Sequence, residues 1–493
     1  MNKIFIILSV LFCAASCCDS QKTDGQVVWV EEFPSVWSAT LGEPEQFNLL
    51  NATGVAPRSE VLSGGNAASL PFDQSKIKYT VHNSRTCITI SISADEQIYG
   101  LGLNFKSLSQ RGAIKQLHMD HYSNSDNGRT HAPVPFFVSS QGYGILFNSA
   151  RYIDAWVTSA VRTDSENPPV ATDRTTNPHW SAQPYSDNME ILIPADGVEL
   201  VLFSGETMMD VVASFNLYTG GGFIPPKWGL GFWQRTPTAF SDGDALEEAD
   251  SFVEHDFPLD VIGLEPGWHS YAYPCSFEWD SVRFANAPEF VEQMQQRNIK
   301  VNLWANPYLS PESSLFEPMN QYVGSHTVWC GTVPDYTMPQ AQKLFQDHIT
   351  KHQLQMGVSG YKIDEVDGYD CWLWPDVATF PSGLDGEQMR SVYGNLVMKT
   401  ILDSYRAQNQ RTYGMVRGVN AGGSSFPFVI YNDNYSHQDF ITAISSASFI
   451  GVQWTPEVRA SGSSQEWLRR MQTTCFSPLA LINAWADGTK PWS

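Results

Sequence analysis

Two rhythms of apolar and polar residues divide the chain. Between Val27 and about Phe223, short runs at 78–81, 87–92, 135–138, 144–147, 189–193 and 198–203 are rich in Val, Ile, Leu, Phe and Thr and are separated by Gly, Asn, Ser and Pro. Helical periodicity is nearly absent there, so residues 27–224 are predicted to form an antiparallel β-sandwich. After Gly220-Gly-Gly-Phe-Ile-Pro-Pro226 the rhythm becomes strand, then helix, repeatedly. Strands are expected at 229–233, 259–264, 300–304, 360–363, 413–416, 428–431, 449–452 and 479–482. Helices are expected at 242–255, 289–297, 339–354, 387–408 and 464–474. Eight apolar strands alternating with helices predict an α/β domain over 225–493, a (β/α)₈ TIM barrel whose sheet the crossovers cover. No helical pattern follows the last strand. The barrel is therefore expected to lack its last helix, to be cut short at the C-terminus, and to leave strands one and eight as an exposed edge.

The N-terminus has a different character. Met1-Asn-Lys3, an apolar run over 4–12 and Cys13-Ala-Ala-Ser-Cys17 have the charged start, short apolar segment and small residues of a secretory signal. Ala14-Ala-Ser-Cys17 resembles a bacterial lipobox, which makes Cys17 the expected lipidation site and 1–17 the removed or anchoring segment; simple cleavage, or lipidation at Cys18, stays open. The polar residues 18–26 read as a tether. The expected location is the periplasm or outer membrane of a Gram-negative bacterium. No later segment has the ~18 consecutive apolar residues that a membrane span needs.

Composition narrows the partner. With 52 acidic against 30 basic residues, a net charge of -22 and a pI near 4.8, the chain has no basic stripe to meet a nucleic acid or an anionic membrane surface. Sixteen Trp and 19 Tyr suit neutral sugar rings, whose C–H faces stack on aromatic planes. Beyond the signal region, Cys87, Cys275, Cys330, Cys371 and Cys475 are scattered and odd in number, which is no disulfide framework; most are expected in the core or near the cleft. No CxxC or zincin His pair occurs, so neither a metal nor a cofactor is expected. Gly100-Leu-Gly102 is only a fragment of a dinucleotide fingerprint, and no Walker loop or GxSxG elbow is found.

Chemistry is expected at two strand ends. Asp364 closes Gly360-Tyr-Lys-Ile-Asp364, and Asp433 closes Phe428-Val-Ile-Tyr-Asn-Asp433. A buried strand that ends in an acid places a carboxylate at the catalytic rim of a barrel. Two such carboxylates from different strands read as a catalytic pair, one a nucleophile and the other a proton donor with a raised pKa. An Asp at a strand end also caps a following loop or helix without any catalytic task.

Several motifs carry a resemblance. Glu96-Gln-Ile-Tyr-Gly-Leu-Gly102, Pro225-Pro-Lys-Trp-Gly-Leu-Gly-Phe-Trp-Gln234, Pro258-Leu-Asp-Val-Ile262, Phe277-Glu-Trp-Asp280 with Arg283-Phe284, and Leu303-Trp-Ala-Asn-Pro-Tyr308 are similar to segments of glycoside hydrolase family 31, which includes α-glucosidases and α-xylosidases. Lys362-Ile-Asp364 followed by Asp367 resembles that family's nucleophile strand. Arg417-Gly-Val-Asn-Ala-Gly-Gly423 and Tyr431-Asn-Asp-Asn434 resemble its Arg strand and acid/base strand. The resemblance implies Asp364 as nucleophile, Asp433 as proton donor, Arg417 beside the nucleophile, and Glu265, Lys362, Asp367 and Asn483 as substrate-binding positions, to which Trp268, Trp304 and Asn306 are added for their places on or just after strands. Trp233 and Trp304 are expected to wall the pocket. Trp372 and Trp374 are either pocket or loop packing, and Tyr271, Tyr273, Cys275, Asp280 and Glu457 are further candidates.

Departures bear on the sugar. The family's strand-two Asp is replaced by Glu265, its strand-eight His by Asn483, and its strand-seven motif by Trp454-Thr-Pro-Glu-Val-Arg459. The longer Glu265 side chain tilts the expectation toward an axial-O4 sugar, an α-galactoside or α-N-acetylgalactosaminide. The implied activity is a retaining exo-α-glycoside hydrolase acting on neutral α-linked oligosaccharides. An α-glucosidase or α-xylosidase, a glucan lyase or transglycosylase, and a catalytically disabled glycan-binding lipoprotein are the alternatives.

Overall fold

A computed structural model of the chain describes residues 23–66, 69–121, 125–165, 168–180, 185–433, 436–459 and 461–492. The signal, Cys17, Cys18 and residue 434 lie outside them. Two sheets form the N-terminal half. The first has seven strands, in the spatial order Thr23–Gln26, Ile77–Val81, Thr86–Ser91, Asn188–Ile193, Ile153–Val157, Ile114–Met119 and Arg129–Thr130. The second has six, in the order Val30–Phe33, Val36–Gly42, Gly197–Ser204, Tyr143–Asn148, Phe136–Ser139 and Ile98–Gly100. Residues 23–26, read above as tether, thus pair with residues 78–81 as an edge strand.

The second sheet shows why its strands read as nearly continuous apolar runs. Ile145, Phe147, Leu200 and Leu202 pack into the space between the sheets. Their neighbours Leu146, Val201 and Phe203 point the other way, into a core shared with helix Met208–Tyr218 and the barrel. Both faces are covered, so both sets must be apolar. The helix went unread in the sequence. It opens on a reciprocal capping box between Thr207 and Asp210 and presents Val211, Phe215 and Tyr218 to the sheet. Phe215 stacks on Phe136 with ring centroids 3.9 Å apart.

The barrel strands are Phe232–Arg235, Val261–Leu264, Lys300–Ala305, Gly360–Ile363, Gly414–Val416, Phe428–Asn432, Trp454–Pro456 and Ala480–Asn483, all parallel where they pair. Strands one and eight pair from Phe232↔Ala480 to Arg235↔Asn483, so the exposed edge expected between them does not exist. The thin seam lies between strands seven and eight, joined by a single bridge at Val458↔Ile482. Strand seven has three residues, and its Pro456 brings no N–H to either side.

Strand seven also sits later than expected. Residues 449–452 are the end of helix His437–Phe449 and its cap: Gly451 adopts φ 65°, Val452 N–H donates to Ala447 O at 3.1 Å and Gly451 N–H to Ser448 O at 3.4 Å. This is a Schellman terminus, whose apolar residue after the glycine mimics a short strand in sequence. The thiols differ from expectation too, since only Cys275 is buried and Cys87, Cys330, Cys371 and Cys475 are exposed. No described helix is long and apolar enough to cross a membrane.

Removing the Phe215 ring leaves a hole where helix, sheet and barrel meet. Phe215→Ala is expected to lower unfolding stability by about 3–5 kcal/mol, read from the denaturant midpoint. A loss below about 1 kcal/mol would show that the helix is not held by this contact.

Candidate active site

Alternation at a period of two builds the site. Along each barrel strand every second residue points inward, apolar near the N-terminal end and charged or polar at the C-terminal end. Trp233, Val261, Met415, Val429, Tyr431, Leu479 and Leu481 form the apolar plug. Toward the C-terminal ends of the strands stand Arg235, Glu265, Lys362, Asp364, Arg417, Asp433 and Asn483. Trp233 is therefore barrel filling, with its Nε1 donating to Gly229 O at 3.0 Å, and not pocket wall. Gly263 makes room above it, because a Cβ there would lie 2.5 Å from Arg235 Nη1.

The inward groups enclose a cavity of about 290 Å³ lined by Glu265, Tyr273, Trp304, Lys362, Asp364, Glu365, Asp433, Trp485 and two further residues. Larger grooves exist, such as one of about 740 Å³ over the outer face of the seven-stranded sheet, away from the barrel's strand ends. Behind the cavity's two aspartates one nitrogen, Arg417 Nη1, donates to Asp364 Oδ1 at 3.0 Å and to Asp433 Oδ2 at 2.9 Å. These two carboxylate oxygens are thus no more than about 6 Å apart, the reach of two bonds to a shared atom. Such spacing fits the ~5 Å of a retaining carboxylate pair better than the wider gap that admits a water between them.

Asp364 is held from three sides. Trp304 Nε1 donates to Oδ2 at 2.7 Å, and the Glu365 N–H joins Arg417 at Oδ1 at 2.9 Å. Its side chain is 8% exposed against 25% for Asp433, which leaves the second carboxyl with the better route to water and to a departing group. Burial raises the Asp433 carboxyl, but Arg417, Lys362 and Arg459 outweigh it and hold the group well below the ordinary carboxylate range. The raised pKa expected of a proton donor is therefore not found, because the guanidinium expected beside Asp364 grips both acids.

Behind this pair lies Asp367, fully buried, taking Arg417 Nε at 3.2 Å and His131 Nδ1 at 2.6 Å. Burial pushes its carboxyl up, but Arg417 and His131 more than offset that and hold it well below the usual range. A second cluster surrounds Glu265, which is bonded by Arg235 Nε and lies 3.4 Å from Lys362 Nζ. Lys362 also reaches Glu457 at 2.9 Å. Burial pushes the Glu457 carboxyl up to about 7, against the pull of Lys362.

Of the residues singled out in the sequence, Glu265, Tyr273, Trp304, Lys362, Asp364 and Asp433 line the cavity. The others do not. Trp268 donates through Nε1 to Trp304 O at 2.7 Å, Asn306 donates to Ala272 O at 3.0 Å, and Asn483 donates to Glu457. Trp374 is buried packing, and Trp372 donates to Glu365 O at 3.1 Å. Asp280 accepts from Val282 and Arg283 N–H groups and serves its own turn.

Sequence reading missed Arg235, Arg459, Glu365, Trp485, His121 and His131. Arg235 was visible in principle, as the basic residue two after Trp233. The histidines were not, since they come from the sandwich. His131 Nδ1–H donates to Arg417 O at 3.0 Å, its Nε2 accepts from Asn432, and Arg417 Nη2 donates to His121 Nδ1. His121, His131 and Asp367 bring possible ligand atoms within 4.8 Å of one another, yet the Arg417 guanidinium already occupies the cation's place there.

Comparison with known proteins follows the same division. Residues 222–493 match the model of the glycosyl hydrolases family 31 TIM-barrel domain, and residues 22–154 that of the glycosyl hydrolase 31 N-terminal galactose mutarotase-like domain. The chain belongs to glycoside hydrolase family 31. Within the family it is similar to α-xylosidase XylQ of Lactiplantibacillus pentosus, 27% identical over 315 residues, which is 59% of this chain and 37% of that protein. An α-xylosidase of Emericella nidulans is 23% identical over 362 residues, 69% of this chain and 42% of that one. α-Glucosidase 2 of Bacillus thermoamyloliquefaciens is 24% identical over 451 residues, 81% and 52% of the two chains. The chain thus spans from under two fifths to about half the length of these curated relatives. A family 31 dextranase of Flavobacterium johnsoniae, solved with isomaltotriose, shares the fold at a TM-score of 0.74 with 17% identity, over 93% of this chain and 62% of that one.

Arg417 offsets three acids, so its loss is expected to be severe. Arg417→Met should lower stability at neutral pH by about 3–5 kcal/mol, because buried carboxylates lose their partner. Asp367 and Asp433 have folded pKa values below their unfolded ones, so their contribution is complete above about pH 4–5 and fades as pH falls toward the folded values. Urea midpoints from neutral to acid pH should fall steeply for the wild type and less steeply for the variant. Parallel curves would show that Arg417 does not set these pKa values.

Proposed function

We propose that this family 31 chain carries the catalytic site of a retaining, exo-acting α-glycoside hydrolase for terminal α-xylosyl or α-glucosyl units. The observation that carries this reading is that Asp364 and Asp433, both lining a cavity of about 290 Å³, share one Arg417 nitrogen behind them. Asp364 attacks the anomeric carbon and forms a glycosyl ester, while Asp433 protonates the departing oxygen. Asp433 then takes a proton from the water that opens the ester. Entry of the sugar between the acids would part Asp433 from Arg417, and the loss of that charge would let it hold the proton it needs.

The axial-O4 preference drawn from Glu265 is set aside. Its carboxylate is bonded by Arg235 and faces Lys362, so the extra methylene serves to reach these cations. Relatives named α-xylosidase and α-glucosidase support the equatorial-O4 sugars. Secretion and lipidation at Cys17 remain part of the proposal, and mass spectrometry of the mature N-terminus would test them.

Asp433→Asn should lower kcat about 10²- to 10⁴-fold on substrates with poor leaving groups and much less on activated aryl glycosides. Asp364→Ala should abolish turnover on both. With the full-length protein, aryl α-xyloside or α-glucoside should be cleaved with retention and the α-galactoside left intact. Wild-type turnover by Asp364→Ala would remove the reading, and products lacking label from ¹⁸O water would replace hydrolysis by elimination or transfer.

A further inference from the structure

Glu365 follows Asp364, lines the same cavity, and has no task in the reaction above. Its backbone is held at φ 63°, in the left-handed region that a long side chain seldom enters. Three hydrogen bonds lock that conformation. Its N–H donates to Asp364 Oδ1 at 2.9 Å, and its carbonyl accepts from the Tyr308 hydroxyl at 2.7 Å and from Trp372 Nε1 at 3.1 Å. A strained residue fixed by its surroundings beside a nucleophile is a sign of function.

Charge balance singles it out. Six carboxyls gather at this end of the barrel, from Glu265, Asp364, Glu365, Asp367, Asp433 and Glu457, against the four fixed cations Arg235, Lys362, Arg417 and Arg459. Each of the other five has a cation within 3.4 Å. Glu365 has none within ion-pair distance among the described residues. The charges that face it are Asp364 and Asp367 on its own turn, Asp433 from strand six, and Arg417 from strand five, which three carboxylates already share. Tyr273, Cys275, Tyr308 and Cys371, the other titratable neighbours, are pushed toward their neutral forms.

The geometry points to Glu365 as a specificity-determining residue that meets the substrate as a neutral carboxylic acid, its O–H donating a hydrogen bond to an oxygen of the bound sugar. Burial, followed by the charge of Asp364, pushes its carboxyl up to about 9. A carboxylate in this place could only accept and would repel the nucleophile, whereas the acid form donates and adds no charge beside it. The donor role rests on the hydrolase reading; the neutral state does not.

Infrared titration of the full-length protein separates the two. At about pH 8, where Glu457 at about 7 has ionised, the wild type should show a neutral-carboxyl stretch that is absent in Glu365→Gln and that fades as pH rises through about 9. Identical spectra would overturn the neutral state whatever the activity. In turnover, kcat/KM of the wild type should fall above about pH 9, and Glu365→Gln, which keeps an N–H donor, should lose that alkaline limb. Glu365→Ala should reduce kcat/KM about tenfold or more, with the Gln variant several-fold better. Equal losses in both, or an unchanged limb in Gln, would overturn the donor role. Should the wild type cleave no α-glycoside, the hydrolase reading fails, and the same ranking read from xylose affinity decides the donor.

Discussion

The guanidinium of Arg417 organises this end of the molecule. Three carboxylates from two strand ends bond to it at 2.9–3.2 Å. A buried charge pair returns its desolvation cost only when geometry and extra hydrogen bonds are good. Here Trp304, His131 and the Glu365 backbone N–H supply those bonds. The arrangement is strained by design of charge: more acids than bases share the site, and the surplus shows as carboxyls that keep their protons.

That surplus has a chemical use. A glycosidase needs acids in different states within one small cavity, and environment sets those states. Asp433 is exposed enough to exchange one partner for another, and Asp364 is fastened from three sides. Glu457 and Glu365 are raised by burial and by their acidic neighbours. Charge is thus distributed by distance to four cations rather than by residue type.

The sandwich is part of the same construction. It sends His131 alongside strand five, where Val419 N–H donates to His131 O at 2.9 Å and the imidazole spans Arg417 O, Asp367 and Asn432. Trp454 Nε1 donates to Asn432 Oδ1 at 2.7 Å and continues the chain of bonds to strand seven. Lys106 meets Asp439 at 2.7 Å, and Arg151 meets Asp385 and Glu387 across the same boundary. Loss of these contacts would loosen the support behind Asp367, so the two halves act on the site together.

Periodicity determined most of the architecture. Apolar runs at a period of two and helices between them are local properties, and seven of the eight barrel strands could be placed from them. Strand seven was misplaced because a helix terminus ending in Gly451-Val452 has the same short-range pattern as a strand, and only hydrogen bonds distinguish the two. Asp364 and Asp433 were legible because each closes an apolar strand, and Lys362 and Arg417 because the segments that hold them resemble the family's. The roles of Glu265 and Glu365 were not, since a carboxyl's charge depends on which cations fold against it from other strands. His131 and Arg235 reach the site across long sequence separations, and no local pattern encodes such a meeting. Sequence set the strands and what they carry to the rim; tertiary structure alone decided which acid faces which base, because electrostatic energy depends on distance in space and on burial, and neither is a property of the chain read in order.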